Sequence, residues 1–309
     1  MVVDYSVSGQ ALDNWRNWAK QAAIEADIDP TEVDWLLQEI AQLDSLSLRL
    51  NSFVGRSRRD PLRGTQIPLK LPLSELTQLW ERRLKERVPV QYLVGVTPWR
   101  NFSLKVSPSV LIPRPETELI IDFALKASQD SLNPHLASGN WVDLGTGSGA
   151  IALGLGEIFP QGIIHAIDTS REALAIAEEN AANLGFSQKI DFYQGSWWSP
   201  LINLKGKVSG MVSNPPYIPT EMLSQLQPEV RQHEPYLALD GGVDGLESIC
   251  YLIETAPNYL VSGGVWLIEM MAGQGEIVAQ LLQDSSYYQG VKILPDLAGI
   301  GRFALAYRC

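Results

Sequence analysis

From Trp141 onward, short apolar runs alternate with amphipathic or small-residue stretches, and this alternation limits the folds open to the chain. Trp141-Val142-Asp143-Leu144, Ile163-Ile164-His165-Ala166-Ile167, Ile190 to Tyr193, Val208 to Val212 and Val265 to Glu269 each have the length of a buried strand. Helical segments lie between them: a small-residue stretch after Leu144, Glu172 to Leu184 capped by Ser170 and stopped by Gly185, Leu246 to Leu260, and Ile277 to Leu282. Two more strands, Val291 to Leu294 and Phe303 to Tyr307, lie close together and predict an antiparallel pair. The pattern predicts an α/β fold, a doubly wound seven-stranded sheet with a terminal antiparallel hairpin. On such sheets ligands bind at the carboxyl ends of the strands, near the point where strand order reverses.

Two candidate binding segments leave from strand carboxyl ends. The first is Asn214-Pro215-Pro216-Tyr217, directly after the run Gly210-Met211-Val212-Ser213. A residue before proline is pushed out of the α region, so Asn214 is held extended. Pro215 and Pro216 have fixed φ and no N–H. The segment therefore offers acceptors only, the Asn214 side-chain oxygen and main-chain carbonyls, and Tyr217 adds a flat aromatic face. It reads as a stiff cradle for a planar group that carries N–H donors, such as an amide or an exocyclic amine.

The second segment is Asp143-Leu144-Gly145-Thr146-Gly147-Ser148-Gly149-Ala150. Its glycines allow a tight turn and close approach of a ligand to the backbone. Asp168 ends the second strand 19 residues after Gly149, where a carboxylate can accept both hydroxyls of a ribose. This loop alone fits either a dinucleotide or S-adenosylmethionine. The cradle favours the second, because hydride transfer needs an acid or base near the fourth strand, and a donor-free amide acceptor suits methyl transfer to nitrogen.

The rest of the chain reads differently. Residues 10–53 carry helical periodicity, with Trp15, Trp18, Ala22 and Ala23 followed by Val33, Leu36, Leu37, Ile40 and Leu43. Residues 56–65 are polar and predict a loop. Ser74 reads as the cap of another helix, with Leu76, Leu79, Trp80 and Leu84 inward. Residues 1–87 thus predict a small helical bundle. Val90, Tyr92 and Val94, then Phe102, Leu104 and Val106, alternate with polar or small residues, so 88–112 predict a linking β-hairpin, with Trp99 near its tip. Residues 113–309 form the main domain, which opens with a helix after Pro113.

Net charge is −11, and the acidic excess falls on the main domain, where residues 113–309 hold 10 Lys and Arg against 22 Asp and Glu. That argues against tight non-specific binding to duplex nucleic acid, which needs phosphate neutralisation. Arg49, Arg56, Arg58, Arg59 and Arg63, and again Arg82, Arg83, Lys85 and Arg87, form local basic clusters. They read as solvated helix ends and loops or as a docking surface for an acidic partner. Cys250 and Cys309 cannot build a disulfide framework, and a reducing cytoplasm is the expected setting. His135, His165 and His233 are far apart, so no metal site is expected. Neither a signal peptide nor an apolar run long enough to span a bilayer is expected.

The cradle after the fourth strand and Asp-x-Gly-x-Gly-x-Gly after the first resemble the S-adenosylmethionine-dependent amino-methyltransferases. More specific stretches are Arg87-Val88-Pro89-Val90-Gln91-Tyr92-Leu93-Val94-Gly95, Leu111-Ile112-Pro113-Arg114-Pro115-Glu116-Thr117-Glu118, and Gly241-Gly242-x-Asp244-Gly245-Leu246 downstream. Together with Glu229-Val230, Glu234-Pro235 and Ala238-Leu239 they resemble the HemK/PrmC family, the peptide chain release factor glutamine methyltransferases. The match runs from about Arg87 to the last strand, and the part before it matches only as a helical domain in the right place.

The resemblance implies a class I methyltransferase fold, S-adenosyl-L-methionine as cofactor, and as substrate the glutamine in the Gly-Gly-Gln motif of class-1 release factors. It implies that Gly145, Thr146, Gly147, Ser148 and Gly149 form the cofactor loop, that Asp168 holds the ribose, and that Trp197 lies against the adenine. It places Asn214 at the junction of cofactor and substrate and gives Asn214, Pro215, Pro216 and Tyr217 the glutamine, with Trp99 at an aromatic position near the substrate. The implied partner is the release factor, recognised through the N-terminal bundle, with no stable nucleic-acid or membrane binding. Two positions depart from the family pattern: Ser196 stands where an aspartate often precedes the tryptophan, and Met271 where a glycine is usual between Glu269 and Gln274.

An amide nitrogen is a poor nucleophile, because its lone pair is delocalised into the carbonyl. If the Asn214 side-chain oxygen and the Pro215 carbonyl accept the two amide hydrogens, the nitrogen is fixed in place. Positioning of this kind is worth up to roughly 7–11 kcal/mol in model systems. Two alternatives remain at this level. A nucleic-acid amino-methyltransferase also needs an exocyclic amine in the cradle, and a non-catalytic adapter would use residues 1–87 to bind release factor or ribosome.

Overall fold

The computed structural model describes residues 5–54 and 65–309. The basic cluster members Arg56, Arg58, Arg59 and Arg63 lie outside the described residues, as does most of the loop expected at 56–65. The chain divides into two compact units, with the boundary between Gly95 and Val96.

The first unit contains β1 (Tyr5–Ser8), α1 (Gly9–Glu25), α2 (Thr31–Ala41), α3 (Ser45–Leu50), β2 (Gln66–Leu69), α4 (Leu73–Glu86) and α5 (Val90–Val94). Leu12, Trp15, Ala19 and Ala23 recur every three or four residues along α1 and meet Val33, Leu36, Leu37 and Ile40 of α2 in one core with Leu76 and Trp80 of α4. Buried polar tips are satisfied: Trp80 Nε1 donates to Ala19 O at 3.1 Å and Trp15 Nε1 to Thr77 Oγ1 at 3.0 Å. Arg83 pairs with Glu32 through two hydrogen bonds, of 2.6 and 2.8 Å.

Four details differ from the sequence reading. β1 and β2 pair antiparallel, so the unit is helices plus a small two-stranded sheet. Trp18 is 42% exposed, because it sits off the stripe that faces α2 and α4. Helix α4 begins at Leu73 with Pro72 at its N-cap, so Ser74 is inside the first turn rather than the cap. Val90 to Val94 is one turn of helix, not a strand. Pro89 opens it, and Gly95 closes it in the left-handed conformation, with its N–H on Gln91 O at 2.7 Å. Proline before and glycine after outweigh the apparent two-residue alternation.

The second unit opens with a short hairpin, β3 (Val96–Trp99) and β4 (Phe102–Lys105), paired Val96 with Lys105 and Trp99 with Phe102. The hairpin is therefore shorter than the 88–112 expected. Then follow α6 (Leu119–Asp130), β5 (Asn140–Leu144), α7 (Ala150–Ile158), β6 (Ile163–Asp168), α8 (Arg171–Asn183), β7 (Ile190–Gln194), β8 (Val208–Ser213), α9 (Pro228–His233), α10 (Glu247–Thr255), β9 (Leu260–Glu269), α11 (Gly275–Asp284), β10 (Tyr288–Pro295) and β11 (Gly301–Arg308). Strand β9 begins where the sequence suggested the end of a helix, because Pro257 breaks the periodic stretch after Thr255.

The seven strands form one sheet in the order β7-β6-β5-β8-β9-β11-β10. Strands β5 to β9 run parallel, and β11 is antiparallel to both of its neighbours, β9 and β10. The doubly wound sheet with a terminal antiparallel hairpin is thus as the sequence predicted. Both faces are covered. One carries Ile120, Ile121 and Ala124 of α6 with Ile151, Leu153 and Leu155 of α7, and the other Ile249, Leu252 and Ile253 of α10 with Val278 and Leu282 of α11. Trp141 of β5 stacks on Phe159 with ring centroids 4.2 Å apart. A Cβ on Gly210 in the neighbouring strand would meet that indole at 2.3 Å, so only glycine fits there. Strand order reverses between β5 and β8, and the chain leaves both strands at their carboxyl ends into the two segments singled out above.

Candidate active site

The loop after β5 is fixed from below. Asp143 is fully buried at the strand end. Its Oδ2 accepts Thr146 Oγ1–H at 2.6 Å and the Ala152 N–H at 3.0 Å. Burial pushes the Asp143 carboxyl up to about 7, against the opposing pull of the Thr146 and Ala152 hydrogen bonds. The N–H groups of Gly145 and Thr146 both donate to Ile167 O, at 2.9 Å each. Gly149 has φ +84, and a Cβ there would press on Ala177 of α8 at 3.1 Å, so this glycine serves both the turn and close helix packing. Asn180 of α8 is buried and donates Nδ2 to Ser148 O at 2.9 Å, holding the far side of the loop.

Asp168 ends β6 and faces the same loop. Its Oδ2 accepts Gly147 N–H and its Oδ1 accepts Ser170 N–H, both at 2.9 Å. Burial raises its pKa, and these backbone bonds counter the rise. Trp197 holds a left-handed φ of 50°, a costly conformation for a bulky residue. A Cβ on Gly145 would lie 3.9 Å from the Trp197 ring, so the indole covers the loop.

These groups line a cavity of about 540 Å³, within the range of small-molecule sites. Its walls include Gly145, Thr146, Gly147, Ser148, Asp168 and Trp197, together with Asn214 and Pro216. Gly149 stays just behind the lining, as does Ser196, which is exposed. Apolar Val110, Leu111 and Pro113 form another wall, and Tyr236, Leu237 and Ala238 a further one. The two walls are tied by Arg114, whose Nη2 donates to both oxygens of Glu234 at 2.9 and 2.7 Å.

The cradle is anchored at each residue. Ser213 Oγ donates to Leu144 O at 2.6 Å, pinning the β8 exit to β5. Asn214 Nδ2 donates to Thr117 Oγ1 at 3.5 Å, a long bond that leaves Oδ1 as the acceptor available to the cavity. Asn214 and Pro216 line the cavity, whereas Pro215 is buried and Tyr217 turns away. The extended path accounts for this, since alternate residues face opposite sides. Tyr217 donates its hydroxyl to Glu269 Oε1 at 3.3 Å, and burial beside that carboxylate pushes its ionisation far up, so it stays protonated.

Trp99 does not reach the cavity. It is 1% exposed, packed in the core, and its Nε1 donates to Arg114 O at 3.1 Å. Its link to the site is through the Arg114 backbone. As a strand residue opposite Phe102, it points into the sheet's covering layer rather than outward from a hairpin tip.

Sequence reasoning passed over Thr117, Arg114, Glu234, Glu269 and Gln274 as site residues. Gln274 Nε2 donates to Tyr217 O at 3.1 Å and to Gly245 O at 3.2 Å, and its Oε1 accepts Met271 N–H at 3.0 Å. Met271 thus needs only its main chain here, so a side chain in place of glycine is tolerated. The Gly-Gly-x-Asp-Gly stretch packs on the cradle too: a Cβ on Gly241 would lie 2.8 Å from Tyr217 Cα, and one on Gly245 2.4 Å from Tyr217 O. The recurrence of isolated Glu, Gln and Gly after β8 was the available signal.

A family model described as the methyltransferase small domain matches residues 120–232. A release factor glutamine methyltransferase of Synechocystis sp. is 52% identical over 300 residues, covering 97% of this chain and 97% of its own. The chain belongs to the release factor glutamine methyltransferase family. A second family member, from Thermosynechococcus vestitus, is 47% identical and covers 97% of this chain and 99% of its own. The solved hMettl16 catalytic domain, 15% identical, superposes with a TM-score of 0.53 over 67% of this chain and 75% of that one, and shares the fold. The cofactor expected from the sequence is S-adenosylmethionine. The donor set fits that molecule: a carboxylate at the end of β6 for a diol, an indole face for a base, and a glycine loop open to close approach.

Proposed function

We propose that the protein methylates the side-chain amide nitrogen of the glutamine in the Gly-Gly-Gln motif of class-1 release factors, in the cytoplasm, with S-adenosyl-L-methionine as donor. The observation that carries the reading is the Asn214 amide. Its Nδ2 donates to Thr117 at 3.5 Å, and the residue lines the cavity beside the glycine loop and Asp168, which supports an acceptor role for its oxygen. The family name of the relatives supports the substrate. Among the described residues no helix is long and apolar enough to cross a membrane.

The cofactor, when bound, supplies an electrophilic methyl group. Gly145, Thr146, Gly147, Ser148 and Gly149 hold its amino-acid part against the loop, Asp168 takes the ribose hydroxyls, and Trp197 covers the base. Asn214 Oδ1 and the Pro215 carbonyl accept the two hydrogens of the glutamine amide, which aims the nitrogen and stabilises the positive charge that grows on it, and one of these protons then passes to water, leaving the neutral methylated amide. Pro216 adds rigid apolar surface at the lip. Tyr217, anchored on Glu269, and Gln274, anchored on the Tyr217 carbonyl, keep the cradle from relaxing. Val110 and Leu111 give the cavity an apolar wall that limits water. The first unit, with its own core, is assigned to docking the release factor.

The test is direct. The protein is incubated with isotopically labelled S-adenosylmethionine and a class-1 release factor, and the label is located by mass spectrometry. Label on the Gly-Gly-Gln glutamine is expected. Label on nucleic acid alone, or none anywhere, would overturn the reading.

A further inference from the structure

The loop that follows the cradle runs from Ile218 to Gly241, and its two feet are clamped together. Ile218 N–H donates to Leu239 O at 3.1 Å, Gly241 N–H donates to Ile218 O at 2.8 Å, and Thr220 Oγ1 donates to Asp240 Oδ1 at 2.6 Å. Between the feet the chain has little apolar surface to hold it down. Helix α9 buries none of its residues, and neither does the turn Tyr236–Ala238. Leu237 lines the cavity yet is 78% exposed, so solvent lies behind this wall. Among the described residues from 224 to 238, Glu234 alone is buried, with its side chain 2% exposed. Buried anchors are ordinarily apolar, and a carboxylate is kept inside only with a partner.

The partner is Arg114, whose Nη2 donates to both Glu234 oxygens at 2.9 and 2.7 Å. Arg114 is the fixed half of the pair. Pro113 and Pro115 restrict the backbone on either side of it. Its carbonyl accepts the Nε1–H of core-buried Trp99 at 3.1 Å. Its side chain is 34% exposed, so water reaches the pair. The two kinds of anchor behave differently when a loop lifts. An apolar anchor would carry its surface into water at a cost proportional to area. A carboxylate and a guanidinium exchange each other for water, and the recovered hydration offsets much of the lost attraction. The anchor is thus specific in place and costs little to withdraw.

We infer that the Arg114–Glu234 pair is a latch on the cofactor cavity. Closed, it holds Pro235 to Ala238 as a wall of that cavity. Open, it lets the loop swing on its clamped feet, so that S-adenosylmethionine enters and the spent cofactor leaves. The inference rests on the reading of the cavity as the cofactor site, and it adds how that site is entered. Loops that gate a site in this way set the rate of product release.

The experiment compares wild type with Glu234→Ala, Arg114→Ala and the double variant Arg114→Ala/Glu234→Ala, each as the full chain. Amide hydrogen exchange is followed without cofactor over residues 224–238 and over strands β5 to β9, alongside thermal unfolding. Release of labelled S-adenosylhomocysteine is followed after rapid dilution. Loss of one partner of a buried charge pair is expected to raise both the exchange of 224–238 and the release rate by at least about tenfold, with β5 to β9 and the unfolding midpoint near wild type. Because the two side chains act as one unit, the double variant is expected to match the singles, and additive effects overturn the pairing. If Arg114→Ala does not fold with Glu234 left buried and unpaired, Glu234→Ala and the double variant decide. Unchanged exchange over 224–238 overturns the inference, since something else would then hold the loop. Faster exchange there beside an unchanged release rate also overturns it, since the wall would not retain the cofactor. So does exchange raised equally in β5 to β9, since the pair would then support the whole fold. A wild type that binds neither S-adenosylmethionine nor S-adenosylhomocysteine in calorimetry overturns the reading of the cavity itself, whatever the exchange shows.

Discussion

Truncating Asn214 to alanine isolates the cradle's contribution. The substitution deletes one acceptor proposed for the substrate amide and one long bond, 3.5 Å, to Thr117. The other proposed acceptor, the Pro215 carbonyl, is main chain and survives. The supports around it also survive: Ser213 Oγ on Leu144 O at 2.6 Å and Gln274 Nε2 on Tyr217 O at 3.1 Å. Loss of one preorganised hydrogen bond to charge that develops in the transition state costs about 2.7–4 kcal/mol, or roughly 100- to 1,000-fold in kcat. A half-buried polar side chain with one weak bond contributes less than about 1 kcal/mol to folding. The expected result is therefore a kcat lower by two to three orders of magnitude, with cofactor affinity changed only modestly and the unfolding midpoint nearly unmoved. Single-turnover methylation of release factor, calorimetry with S-adenosylmethionine and urea unfolding separate these quantities. Turnover within about threefold of wild type would refute the argument, as would a loss explained wholly by unfolding.

Four further outcomes are expected. Asp168→Ala removes the acceptor for Gly147 N–H, Ser170 N–H and the proposed ribose, so S-adenosylmethionine affinity should fall by at least about tenfold by calorimetry. The Asp143 carboxyl has a folded-state pKa raised to about 7, so its stabilising contribution is greatest below the ordinary carboxylate range and is lost as pH rises through 7. Urea unfolding from pH 4 to 8 should therefore show wild type losing ground to Asp143→Asn as pH rises. Gly210→Ala puts a Cβ 2.3 Å from the Trp141 ring and should cost about 1–3 kcal/mol in unfolding free energy. Trp99→Phe should lower the melting temperature but leave KM for release factor unchanged, because the indole is bonded to Arg114 O in the core and not to the cavity.

The sheet type and its terminal hairpin were legible because apolar runs of fixed length, broken by glycine and proline, carry that information locally. Five parallel strands and a terminal hairpin follow from Trp141-Val142-Asp143-Leu144 and its counterparts. That the glycine loop, Asp168 and Asn214 meet at one cavity was legible for the same reason, as each lies in a short motif at a strand end, whereas Trp197 came from the family resemblance. What escaped depends on contacts between distant residues. Glu269 and Thr117 are separated by 152 positions, and only the fold makes them neighbours of one cradle. Arg114 and Glu234 likewise meet across 120 positions. Val90 to Val94 was misread for a local reason: five residues satisfy a two-residue period and one helical turn alike, and the flanking Pro89 and Gly95 settle it. Trp99 was misplaced because a strand residue's direction depends on its partner strand.

The position of β11 has a consequence for biosynthesis. Gly301–Arg308 fills the gap between β9 and β10, so β10 has no other neighbour within the sheet. A nascent chain that has not yet delivered these residues leaves one edge of β9 open, and with it the apolar surface that Phe303 and Leu305 later cover. The catalytic half therefore closes late, after the β5 to β9 scaffold has been made. Products that stop short of Gly301 would keep a bare strand edge, the kind of surface that invites aggregation and chaperone capture.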